Sequence, residues 1–249
     1  MLMPIDLEVA VQNCAGVRIA REIGAARVEL TQALALGGLT PSRATIELAL
    51  ETAGHDGPEV HVLVRPRAGD FHYDRDEYEA MERDVRHALA AGAHGVVIGC
   101  QDATGTLDRD GLARLRDAAA GAAVTLHRVI DTTPDPLAAL HLARELGLSR
   151  VLSSGGASRA LDGLDVLRAL VREAAGEIEV MAGSGISGAD VVTVAATGVD
   201  AVHFSAKRTV TADGGVRLGS ADEGVGGHEV TDLAAARSIV DALAGAQAA

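Results

Sequence analysis

Short runs of alternating apolar and polar residues recur along the chain, separated by longer stretches whose apolar residues fall every three or four positions. The first kind reads as β-strand near 5–10, 26–31, 59–65, 95–99, 123–128, 150–154, 178–182 and 200–205. The second kind reads as helix. In 76–92, Tyr78, Met81, Val85 and Leu89 mark one helical face, and the acidic run around them is its solvated side. Four segments, "GAARVEL", "GAHGVVI", "GLSRVLS" and "GVDAVHF", each place a helix-ending glycine just before a new strand. They would be the even-numbered strands, so the chain divides into four βαβα units. Eight strands alternating with helices in 249 residues predict an α/β fold, a single (β/α)8 TIM barrel over 1–249. A doubly wound sheet would need a glycine fingerprint after the first strand, and "EVAVQNCAG" has none. The glycine-rich stretch at about 207–230 is overlong for a loop, with a last helix at about 231–244 after it. It reads as a lid or partner contact at the barrel mouth, or as a disordered segment.

Alternation also sorts side chains by face. Val124 and Leu126 oppose Thr125 and His127; Val28 and Leu30 oppose Arg27, Glu29 and Thr31; Leu7 and Val9 oppose Asp6 and Glu8. Val202 and Phe204 oppose His203 and Ser205, and His61 shares a face with Arg65. The oily face must pack on helices, so the polar face points into the barrel. Glu8, Glu29, Arg65, His127 and His203 then converge at the strand ends, with Arg67, Asp70, Arg128 and Asp131 on the loops beyond. Mixed charge at that end of a barrel suits acid/base chemistry or recognition of an anion. The competing reading is a set of structural ion pairs plugging the barrel, and His203 alone reads equally as a satisfied core histidine. After the seventh strand, "VMAGSGISGAD" is read as opening a helix. Gly183, Ser184 and Gly185, completed by Ser205, could offer backbone N–H groups to a phosphate there. The alternative is a tight turn capped by Ser187. Lys207, the one lysine, stands beside Arg208 in a loop and is expected to be exposed rather than a Schiff-base amine.

Composition narrows the partners. The chain is 48% hydrophobic and 23% charged, enough for a full core, and carries a net charge of -13. That charge excludes non-specific binding to nucleic acid or an anionic membrane, and with 2% aromatics and no Trp there is no base-stacking platform. No run has the length of a membrane span and "MLMPIDLEVA" lacks a basic leader, so a cytoplasmic location is expected. Cys14 and Cys100 form no metal-spacing motif and read as free thiols.

Together, "LEVAVQN", "GAARVEL", "GGLTPS", "VRPRAGDF", "TLHRVID", "RVLSSGG", "VMAGSGI" and "VHFSA" run through most of the chain in an order that resembles the CutC family. The resemblance implies a TIM barrel, a cytoplasmic homodimer or higher homo-oligomer, and a part in copper homeostasis. It also implies cysteines where this chain has Ala10 and Thr31. Cu(I) favours thiolate and thioether ligands, which leaves Cys14, Cys100 and Met181 as weak candidates. The retained Arg, Glu, His and glycine residues point instead to an isomerase, epimerase or lyase acting on a small anionic or phosphorylated metabolite. In that reading Gly183, Ser184, Gly185 and Ser205 hold phosphate, while Arg65 and Arg128 neutralise a second oxygen. Glu8 or Glu29 is the base, His127 its acid partner, and Asp131 orients His127 or Arg128. Arg67, Asp70 and His203 would complete substrate binding. A non-catalytic scaffold is the third expectation.

Overall fold

A computed structural model describes residues 5–211 and 227–248. Eight parallel strands close into a barrel: β1 (Asp6–Val11), β2 (Arg27–Leu30), β3 (Glu59–Leu63), β4 (Gly95–Ile98), β5 (Ala123–Leu126), β6 (Arg150–Ser153), β7 (Glu179–Gly183) and β8 (Ala201–Phe204), which pairs back onto β1. Helices α1 (Cys14–Glu22), α2 (Arg43–Ala53), α3 (Arg75–Ala90), α4 (Arg109–Ala118), α5 (Pro136–Glu145), α6 (Leu164–Ala174) and α7 (Val191–Ala195) follow the first seven strands. A hairpin of β9 (Lys207–Thr211) and β10 (Gly227–Thr231) precedes α8 (Leu233–Ala248). The expected TIM barrel is the fold.

Local chemistry explains the helix starts. Asn13, Ser42, Asp74, Asp108 and Asp135 each accept a backbone N–H of the helix that follows, and Asp74 with Glu77 completes a reciprocal capping box. Outward strand residues such as Val9, Val28, Val62, Ile98, Leu126 and Val180 pack with Val17, Met81, Leu112, Leu140 and Leu167 of the helices in one buried layer. Each such large side chain contributes roughly 1.5–3 kcal/mol by leaving water, so this layer carries the fold.

Inside the barrel the two ends differ. At the N-terminal end, Arg27 binds three carboxylates: Asp6 at 3.1 Å, Glu8 at 3.2 Å and Glu179 at 2.7 Å. Arg150 binds Glu179 at 2.6 Å and donates to the Thr125 hydroxyl at 3.0 Å, while His61 Nε2 bonds Glu59 at 3.1 Å. The ion-pair plug is therefore real, and it occupies this end. Leu152, Met181 and Ala201 form a small apolar cluster inside the barrel. Strand β4 faces the interior with Gly95, Val97 and Gly99. A Cβ on Gly95 would lie 2.7 Å from the His61 ring, and one on Gly99 would lie 2.4 Å from the His127 ring. Only glycine leaves room for an imidazole from each flanking strand.

Two expectations change. The "GSG" turn does not open a helix. Helix α7 begins only at Val191, whose N–H bonds the Ser187 carbonyl at 3.0 Å, and Ser187 Oγ donates to Asp190, so the tight-turn reading holds. The segment 207–230 is a loop only in part, because its ends pair as the antiparallel β9–β10 hairpin; 212–226 lie outside the described residues. Lys207 pairs with Glu229 at 2.6 Å across that hairpin.

Replacing Arg27 with Ala leaves buried carboxylates without their shared cation. The unfolding free energy should fall by about 3–5 kcal/mol, read from urea midpoints; a loss under about 1 kcal/mol would show that the plug is not what holds the barrel interior.

Candidate active site

The C-terminal mouth opens on a cavity of about 220 Å³. Its polar lining is Glu29, Arg65, His127, Arg128 and His203, and its apolar lining includes Leu34, Leu63, Phe71 and Leu152. Strand register puts Glu29 on β2 beside His61 of β3, and Glu8 of β1 beside both Arg27 of β2 and His203 of β8.

Glu8 is spent. Its Oε1 bonds His203 Nδ1 at 2.9 Å and its Oε2 accepts from Arg27 Nε at 3.2 Å. Burial alone would raise its pKa, but the bond and charge of His203, with His61 and Arg27, hold it well below the usual carboxylate range. Burial would likewise lower His203, and the bond to Glu8 with the charges of Glu29 and Glu8 raises it instead. Glu29 differs. It is 7% exposed and makes no hydrogen bond to any described residue. Burial pushes it up, His203 opposes, the Glu8 charge adds to the rise, and the carboxyl settles at about 7. Of the two expected bases, the geometry leaves only Glu29 free.

His127 ends strand β5 and caps the short 3-10 turn Arg128–Thr132: its Nδ1 accepts the Val129 N–H at 3.0 Å. The proton of the neutral ring therefore sits on Nε2, which is buried and has no partner among the described residues. Burial first, then Arg65 and Arg128, hold its pKa down at about 3, so the ring is uncharged at neutral pH. It lies between Gly99 and Phe71, whose ring centroid is 4.7 Å away.

Arg65 is 6% exposed and has no carboxylate within ion-pair distance among the described residues. Its Nη1 donates to the carbonyls of Leu36 and Gly38 and its Nη2 to that of Gly69, each at 2.9 Å, and its Nε–H is buried without a partner. A buried guanidinium without an anion costs several kcal/mol, which three carbonyl bonds offset only in part. The guanidinium lies 5.2 Å over the same Phe71 ring.

Asp131 orients Arg128, not His127. It accepts from Arg128 Nε at 2.8 Å and from the N–H groups of Ser154 and Gly156, and it touches no part of the cavity lining except Arg128. Arg67 and Asp70 bond each other at 3.1 Å and Arg67 also binds Glu77, away from the cavity. The four expected phosphate residues have the following surroundings. Gly183 backs onto His203, Ser184 Oγ donates to the Ser158 carbonyl, and Gly185 packs against Arg159. Ser205 lines a separate crevice with Gln12, Asn13 and Lys207. Phe71, Leu63, Leu152 and Arg159 went unnoticed as site residues; Phe71 was visible only as part of "RPRAGDF".

The family model described as the CutC family matches residues 5–208. The chain belongs to the CutC family. A CutC family protein of Xanthomonas campestris is 40% identical over 240 residues, covering 96% of this chain and 99% of that protein. One from Photobacterium profundum is 37% identical over 247 residues, covering 97% and 100%. A solved structure of CutC from Streptococcus agalactiae, whose name assigns that protein to copper homeostasis, is 28% identical with a TM-score of 0.78, covering 81% of this chain and 99% of its own. A thiamine phosphate pyrophosphorylase from Pyrococcus furiosus, 17% identical with a TM-score of 0.61 over 97% of this chain and 96% of its own, shares the fold alone.

Copper fits this CutC-family chain poorly. Cys100 packs in the layer between sheet and helices, its thiol pushed up to about 12 by burial, whereas Met181 lies inside the barrel against Leu152 and Ala201. The two are on opposite faces of the sheet, and Cys14 is at the start of α1. The one group of His, Cys, Asp and Glu donors that converges among the described residues is Glu8, Glu29 and His203, within 4.8 Å of one another. It contains no sulfur, and Glu8 and His203 already spend their facing atoms on each other.

Glu29 has a signature of its own. Above pH 4.5 the unfolded chain ionises this group, while the folded chain keeps its proton until about 7. Stability is therefore lost as pH rises through that window, on the order of 3 kcal/mol beyond it. Glu29→Gln should be more stable than the parent at pH 8 and little different at pH 4, measured by urea unfolding at both; an equal effect at the two values would contradict the raised pKa.

Proposed function

We propose that this chain is an enzyme that moves a proton next to a carbonyl group in a small anionic metabolite. One observation carries the reading: Arg65 and His127, each with a buried N–H that has no partner among the described residues, line one cavity with Glu29, whose carboxyl is likewise unbonded among them. A buried donor left unpaired calls for an explanation, and in a cavity with a titratable carboxyl a catalytic role is the one that fits. Glu29, ionised in part near neutral pH, takes the proton from the carbon beside the carbonyl. The charge that collects on the carbonyl oxygen is met by His127 Nε2–H and Arg65 Nε–H, both fixed before substrate arrives. His127 acts as a neutral hydrogen-bond donor in place of a cationic acid. Arg128 adds a further positive charge at the rim, held by Asp131. If the metabolite is phosphorylated, the Ser184–Gly185 turn with the neighbouring Arg159 is the place for that group.

Oxalate, a flat dianion with adjacent oxygens, is the probe. Calorimetry should show one-to-one binding with proton uptake near pH 7.5, because an anion beside Glu29 raises its pKa further. Arg65→Lys, which keeps the charge but loses the Nε–H, should weaken binding by about tenfold or more. Absence of oxalate binding, or binding indifferent to Arg65→Lys, would count against the site. Tight Cu(I) binding in competition with a chelator, lost on changing Cys100 or Met181, would favour metal handling instead.

A further inference from the structure

We infer that the substrate is a compact α-hydroxy carbonyl compound of the aldose or ketose type, and that one carboxylate, Glu29, shifts a proton between its two adjacent carbons. This rests on the proposed proton-transfer function and specifies it. Among the described residues lining the cavity, every other ionisable side chain either presents N–H groups or, like His203, stands on the same side as Glu29. Arg65 and Arg128 are guanidiniums, His127 carries its proton on Nε2, and His203 is bonded through Nδ1 to the ionised Glu8. In an eight-stranded ring, β5, which ends in His127, lies across from β1, and Glu29 and His203 stand on the two strands flanking β1. A proton removed on the Glu29 side therefore has no second base waiting on the other face.

That asymmetry limits the chemistry. Epimerisation by two bases requires an acceptor on each face of the reacting carbon, and the second is missing. If Glu29 returns the proton to the carbon it came from, nothing has changed. Where no group is expelled, turnover between adjacent carbons requires return to the neighbouring carbon, and that needs an enediol intermediate and hence a hydroxyl on the carbon beside the carbonyl. A Schiff-base route is closed as well, because the one lysine of the sequence, Lys207, is tied to Glu229 on the hairpin.

The remaining lining fits a flat, two-oxygen intermediate. Arg65 and His127, both beside Phe71, line the cavity, and each carries a buried N–H without a partner among the described residues; two adjacent substrate oxygens would each call on one of them. Leu63 and Leu152 give apolar walls, which exclude water from a reactive enediol. A cavity of about 220 Å³ holds roughly seven water volumes, enough for about three to five carbons.

The step balances without a co-reactant. Glu29 takes the hydrogen from the carbon bearing the hydroxyl, and that C–H pair becomes the carbon–carbon double bond. The carbonyl π pair moves to its oxygen. The hydroxyl proton passes to that oxygen by way of His127, and the former hydroxyl oxygen becomes the new carbonyl. Glu29 then delivers its proton to the neighbouring carbon. No net oxidation occurs and the atoms of the substrate are all retained.

The test is proton NMR of the full chain with three- to five-carbon α-hydroxy aldehydes and ketones, each free and as its terminal phosphate. Pyruvate-type 2-oxo acids, which lack the adjacent hydroxyl, are the comparison. The expected result is interconversion of one aldose–ketose pair, with part of a carbon-bound deuterium label carried to the neighbouring carbon in ordinary water. Glu29→Gln should cut the rate by at least about a hundredfold while retaining the circular dichroism spectrum and oxalate binding. Exchange in the 2-oxo acids alone would overturn the substrate class and leave proton transfer standing. Epimerisation without migration of the label would overturn the one-base route. No exchange in any compound would overturn this inference; oxalate binding that depends on Arg65 would then still distinguish an intact anion site from the failure of both.

Discussion

Glu8 joins the two halves of the barrel interior. One of its oxygens belongs to Arg27 and the plug, and the other belongs to His203 and the mouth. Because one oxygen accepts from the Arg27 guanidinium and the other bonds the His203 ring, it stays ionised at full burial, and that fixed negative charge helps set the state of the next carboxyl. Glu29 cannot easily become a second anion so close to the first while buried, so it holds its proton far above the usual range. Two carboxyls of the same type thus acquire opposite roles, one a permanent anion and the other a group that titrates near neutrality.

The mouth is held at a cost in stability. Among the described residues Arg65 has no anion, His127 has an unused N–H, and Glu29 has no side-chain bond, although each is more than nine-tenths buried. The plug at the other end gives each buried arginine a carboxylate, although Arg150 Nε and His61 Nδ1 find no partner there either; Arg65 at the mouth has no carboxylate among the described residues. Unpaired donors at the mouth are consistent with an interior prepared for a ligand. The glycines of β4 belong to the same design, because they give His61 and His127 places that no residue with a Cβ would leave.

Much of this was legible from alternation along the strands. Parity placed Glu8, Glu29, Arg65, His127 and His203 inside the barrel, and the structure brings all five to its interior, four of them on the cavity. What parity cannot show is which group pairs with which. Arg150 and Glu179 open their strands at inward positions, yet their bond to each other and to Arg27 depends on strand register. The tautomer of His127 depends on one backbone N–H, that of Val129, presented by a 3-10 turn that has no sequence signature. Asp131 looked available for His127 because it is close in sequence, but the β6 loop captures its carboxylate. The expectation that "GSG" opens a helix failed because a glycine-rich turn after a strand does not reveal where the next helix begins. Parity did contain the answer on copper: Cys100 shares its face with Ile98, and Met181 lies on the other.

The most direct test of this account is the pKa of Glu29 itself. The carboxyl carbons of the glutamates can be followed by 13C NMR between pH 4 and 9, with Glu29→Gln identifying the signal that disappears. A midpoint near 7 is what a buried carboxyl beside an ionised Glu8 requires. A midpoint near 4.5, the value of an ordinary glutamate, would mean that Glu29 is paired or solvated, and the central claim of a poised base at the barrel mouth would fail.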